Sequence, residues 1–128
     1  MNVPCLKENV PTVKVEVTPI HRALLNIGVP HNLLGYSYTL YAMELILLNP
    51  NYLRGITKGL YIDIAVHFGT TPSRVERAIR HSIAVAWLHG NIEFINLVFK
   101  NSINPKKGMP TNSHYLSALY YYLITTTN

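Results

Sequence analysis

The run GLYIDIAVHFGTTPSRVERAIRHSIAVAWLHG, residues 59 to 90, decides how the rest of the chain is read. Its first half places Leu60, Ile64, Ala65 and Phe68 at helical spacing and stops at Gly69. A glycine just past a helix end enters the left-handed conformation without a Cβ clash. Thr71 is then an N-cap and Pro72 a first helical residue, because the amide that proline lacks would be unpaired there anyway. Beyond it Val75, Ala78, Ile79, Ile83 and Ala86, with small Ser82 among them, recur at the i, i+3, i+4, i+7 spacing of one helix face. Two helices joined by a tight turn at Gly69 form a helix-turn-helix: Ala65 lets them approach and Val75 plugs the angle between them.

The face opposite that stripe carries Ser73, Arg74, Glu76, Arg77, Arg80 and His81. A helix-turn-helix offers the first turns of its second helix, here 72–89, to a DNA major groove. Arginine grips guanine O6 and N7 with two hydrogen bonds, and a carboxylate accepts from cytosine N4, so Arg74, Glu76 and Arg77 are the expected base readers. Thr57, Lys58, Thr71, Ser73, Arg80 and His81 are the expected phosphate contacts, from hydroxyls, cations and helix-start amides. The plain alternative for this helix is a solvated surface face.

The same residues carry a resemblance. SRVERAIRH (73–81), IAVAW (83–87) and HGNI (89–92) resemble the C-terminal effector domain of the stage-zero A sporulation response regulator, as do IGVP (27–30), GITKGLYIDIA (55–65) and PTNS (110–113). The likeness spans roughly Thr18 to Leu123. It implies an all-α domain of about six helices, without a wing, that binds a short DNA box and regulates transcription. It implies binding to tandem boxes as a homodimer, and contact with the sigma subunit of RNA polymerase through Asn91 to Lys100. The family tends to carry a lysine where this chain has Met109, which leaves Lys107 as the nearest substitute. In that family a receiver domain normally precedes the effector. None is recognisable in these residues, so the chain reads as a stand-alone, receiver-less relative. A second reading follows: an interaction module that antagonises or partners the full-length regulator.

Length and composition agree with one globular domain. The 128 residues are 48% hydrophobic, which suits a single core, and the net charge of +5 gathers in Arg74, Arg77, Arg80, Lys106 and Lys107. A single cysteine, Cys5, precludes an intramolecular disulfide and suggests a reducing compartment. With no membrane-length apolar run and no signal-peptide core, the expected location is the cytoplasm. Enzyme readings find no support. Asp63 is the only aspartate, the five glutamates are scattered, and none of the six histidines has a cysteine or a second histidine at i, i+4. No cofactor or metal is expected.

The remaining chain divides into an arm, residues 1–17, and the helical domain, residues 18–128. Val13, Val15 and Val17 alternate with Lys14 and Glu16, which reads as a short strand or as an extended linker. Thr18-Pro19 opens a helix ending at Gly28. Leu34, Tyr38, Tyr41, Leu45 and Leu48 mark the inward face of the next, with Tyr36 and Tyr38 read as packing residues ahead of phosphate contacts. Trp87 is expected in the core. Asn91 caps a short helix through Ile92, Ile95, Leu97 and Val98. Thr111 or Asn112 caps a tyrosine-rich last helix, whose Tyr115, Leu119 and Tyr122 are the expected dimer contacts.

Overall fold

The computed structural model describes residues 16–100 and 108–126, and among these every regular element is helical. Six α-helices follow one another: α1 Val17–Ile27, α2 Leu34–Leu48, α3 Tyr61–Phe68, α4 Pro72–His89, α5 Ile92–Phe99 and α6 Asn112–Thr126. A 3-10 turn, Pro50–Arg54, and a π-helical turn, Ile56–Leu60, lead from α2 into α3. The expected all-α class and the central helix-turn-helix are both present.

Helix α4 is the axis of the domain. Its Val75, Ile79, Ser82, Ile83 and Ala86 are all 0% exposed, and α2 makes the most extensive helix–helix contact with it. Around that stripe pack Leu24 and Ile27 of α1, Met43 and Ile46 of α2, Ile64 of α3, and Tyr115, Leu116 and Leu119 of α6. Burying a leucine- or isoleucine-sized side chain is worth about 1.5–3 kcal/mol, so this cluster, rather than any cap, holds α4 in place.

Two approaches are too close for a side chain. A Cβ on Gly35 would lie 2.3 Å from the Ala78 carbonyl oxygen, so α2 rests almost directly on α4 there. At the other end Gly28, at φ 105°, meets Gly90 backbone to backbone: a Cβ on Gly28 would lie 2.5 Å from the Gly90 Cα. Gly28 also closes α1, its amide donating to Leu25 O at 3.1 Å while Val29 donates to Leu24 O at 3.0 Å.

Several expected details differ. Helix α1 begins at Val17, and Glu16 occupies the extended cap position without a side-chain cap bond. Thr18 and Pro19 lie inside the first turn, where a missing proline amide has no partner to lose. Val17 is therefore helical and Glu16 is its extended cap, while residues 13–15 of the alternation lie outside the described residues, as does Cys5. Helix α2 is turned from its expected face: Gly35, Tyr36, Tyr38, Thr39, Ala42, Met43 and Ile46 are buried, while Leu34 and Leu48 are 65% and 52% exposed. The helix is apolar almost all round, so periodicity could not choose its inward side, and the close approach at Gly35 does. In α5 the buried set is Ile95, Val98 and Phe99, with Ile92 and Leu97 exposed. Trp87 is half-buried and meets Phe99 edge-on at 5.2 Å.

Candidate nucleic-acid interface

The turn between α3 and α4 is built by three consecutive residues. Gly69 sits at φ 67°, ψ 41°, a left-handed conformation that a β-branched residue would strain. Around it the Thr70 amide donates to Ala65 O at 2.9 Å and the Gly69 amide to Val66 O at 3.4 Å. Thr71 then turns extended, and its Oγ1 accepts from the Arg74 amide at 3.3 Å. Pro72 starts α4 with its fixed φ. The Thr71 oxygen is thus engaged as a cap, which leaves its hydroxyl proton free to donate.

Past this turn Ser73, Arg74, Arg77, Arg80 and His81 are all exposed, and Glu76 is half-buried. At 3.6 residues per turn, Ser73 and Arg77 stand opposite the buried stripe. Arg74 and His81 fall on the flank toward α2, and Glu76 and Arg80 on the flank toward α6. The α2 flank is an open groove of about 490 Å³ lined by Leu34, Tyr38, Thr70, Arg74, Arg77, Ala78 and His81. Two guanidiniums and an imidazole therefore meet over a partly apolar floor. Leu34 belongs to this groove rather than to the core, which neither its hydropathy nor its spacing reveals.

On the other flank Arg80 and Glu76 form an i, i+4 ion pair. An exposed pair of this kind is worth only about 0.3–0.5 kcal/mol, so a nucleic acid could open it at little cost. The free protein nonetheless presents neither partner as a bare charge. That qualifies the sequence-based picture of Glu76 and Arg80 as independent contacts.

Thr57 and Lys58, both exposed, fall in the π-helical turn before α3. They line a second open groove, about 450 Å³, with Leu53, Arg54, Gly55, Ile56, Tyr61 and Ser113. Arg54 and Ser113 were not singled out from sequence; a basic residue directly before Gly55, and the PTNS run, were the available signals. Lys107 and Lys106 lie outside the described residues.

Where α6 begins, Thr111 Oγ1 accepts from the His114 amide at 3.2 Å. The neighbouring Asn112 is 8% exposed, and its Nδ2 donates to Tyr61 Oη at 3.0 Å and to the Glu76 carbonyl at 2.9 Å. Burial pushes the Tyr61 hydroxyl above its ordinary pKa, and the Asn112 hydrogen bond pulls the other way. Elsewhere, Tyr36 and Tyr38 are 4% and 5% exposed, and the Tyr36 hydroxyl bonds His21 Nδ1 at 2.6 Å. Both are core residues.

The expected dimer contacts divide. Tyr115 and Leu119 are 0% and 1% exposed, buried against the other helices, so neither offers surface to a second chain. They lie on the buried side of a helix that is apolar on more than one face, with Tyr121 on its exposed side. Tyr122 is half-buried and packs edge-on to Phe94 at 5.5 Å. No described helix is long and apolar enough to cross a membrane.

Against known families, the model described as sporulation initiation factor Spo0A C terminal matches residues 20–123 of the 128.

Proposed function

Since the chain belongs to the Spo0A C-terminal family, we propose that it is a sequence-specific regulator of transcription that lays the first turns of α4 in a DNA major groove. Membership itself supports a DNA-binding effector domain. What supports the finer reading is the outward half of α4. Arg74, Arg77, Arg80 and His81 stand exposed directly after a capped turn, on a helix whose other face is wholly buried. In this reading Arg74 and Arg77 read bases, and Glu76 joins them once Arg80 leaves it for a phosphate. Ser73, Thr71 and His81 contact the same strand, Thr57 and Lys58 hold the backbone from the second groove, and Lys107 adds a further phosphate contact. The role is one of binding rather than catalysis, carried out beside the chromosome.

Two partners complete the proposal. The protein binds tandem boxes as a homodimer, with Tyr122 as the contact that remains accessible on α6. Asn91 to Lys100 faces the sigma subunit of RNA polymerase. A gel-shift titration at fixed salt, on a duplex with the family's box and on a scrambled duplex, tests the central assignment. Tighter binding to the box is the expected result, and equal affinity for both duplexes would defeat it.

A further inference from the structure

We infer that Asn112 is a positioning residue for DNA reading, a clamp that fixes the recognition helix α4 against α3 from outside the helix-turn-helix. The inference rests on the DNA-binding reading above. Within a helix-turn-helix the two helices touch mainly through apolar contacts, which resist separation better than they resist sliding or rolling. A directional bond across the joint resists those motions. Asn112 supplies it, because a single Nδ2 reaches both the Tyr61 hydroxyl of α3 and the Glu76 carbonyl of α4.

The place of the bond matters. Glu76 lies within the run of α4 that carries Arg74, Arg77 and Arg80, so the clamp acts at the reading turns and not at a remote end. The Glu76 carbonyl is an ordinary rung of the α4 ladder that takes on a second donor. Asn112 is held in its turn by the start of α6, where Thr111 caps the helix, and it is 8% exposed. Its Oδ1 has no partner among the described residues. A buried amide with one unpaired oxygen is a costly way to fill space, and its donor side is what the site uses. The Glu76 carbonyl is what asks for asparagine: an aspartate of the same shape could still accept from the Tyr61 hydroxyl, but it has no proton for that carbonyl and would set a full negative charge against the oxygen's partial one.

Base reading needs the helix at a set angle and depth, whereas phosphate attraction tolerates small displacements. Loss of the clamp should therefore lower the preference for the box more than it lowers affinity for DNA in general. Asn112→Asp is expected to weaken binding to the box about tenfold, the scale of one net hydrogen bond, while scrambled-duplex binding stays within about twofold. Tyr61→Phe, which removes the α3 end of the clamp and leaves the Glu76 bond, should lower the preference in the same direction. Asn112→Ala replaces the aspartate variant should that one fail to fold. An equal loss on both duplexes, or an unchanged preference in a folded variant, would overturn the inference.

Two measurements need no change of sequence or no DNA. In the parent, the Asn112 side-chain amide protons should exchange slowly and shift on the box duplex but not on the scrambled one. The same response to both duplexes would count against a reading role. Without DNA, Asn112→Asp should move the backbone amide resonances of Glu76 to Arg80, and silence there would refute the clamp. A parent that fails to prefer the box would instead sink the sequence-specific reading, with the DNA-free spectra still deciding the clamp.

Discussion

Arg74 and Arg77 line one groove, three residues apart on α4, so a duplex entering it meets two guanidiniums together. Replacing either with alanine should cost about 1–3 kcal/mol on the box and relax the preference at one base pair, as measured by a shift titration over single-base variants. Parent-like affinity in both variants would remove them from the bases. Lys58 should behave differently. A cation on a phosphate contributes to every sequence alike, so Lys58→Ala should weaken box and scrambled duplexes together and reduce the salt slope by roughly one unit. Arg80 has a smaller predicted effect, because the free protein already pairs it with Glu76. The single variant Glu76→Gln frees that guanidinium, and tighter scrambled-duplex binding is its expected signature.

The turn from Gly69 to Pro72 sets where α4 begins, and the Thr71 cap is its most testable part. Thr71→Ala removes the acceptor for the Arg74 amide and should destabilise the domain by about 1 kcal/mol, read by denaturant unfolding. This turn was fully legible in the sequence, since glycine, threonine and proline each declare a backbone state through local chemistry. So was the buried stripe of α4, where charged residues on the far side leave only one possible inward face. Helix α2 was not legible in that way. With apolar side chains nearly all round, its orientation depends on the fit of Gly35 against Ala78 and Ser82, a contact between residues far apart in the chain. The start of α1 was displaced for a related reason: Thr-Pro suits a first turn as well as a boundary. In the interface, the exposed cations of α4 could be read from spacing. The grooves beside it, with Leu34, Arg54 and Ser113, could not, because each is assembled from separate elements.

Taken as one body, the domain hides tyrosines whose ionisation it opposes. Burial pushes the hydroxyls of Tyr36 and Tyr61 above the ordinary value of 10.0, and that of Tyr115 much further. Above about pH 10 the unfolded chain releases protons that the folded one keeps, so stability is full below that pH and declines above it. An alkaline titration should show the late-ionising tyrosines appearing together with loss of helical circular dichroism; their ionisation in a still-folded domain would contradict this. Assembly is also a question for the whole molecule. Sedimentation with one-box and two-box duplexes should show tighter binding per site on the latter, diminished by Tyr122→Ala. Equal affinity per site would leave the bound state monomeric. The backbone contact of Gly28 with Gly90 has a consequence in time as well as in space. It joins the end of α1 to the end of α4 with no side chain between them to loosen first, so opening either helix end uncovers the other. Amide hydrogen exchange should accordingly find the last turns of α1 and α4 opening as one cooperative unit, with a shared opening free energy that Gly28→Ala splits into two.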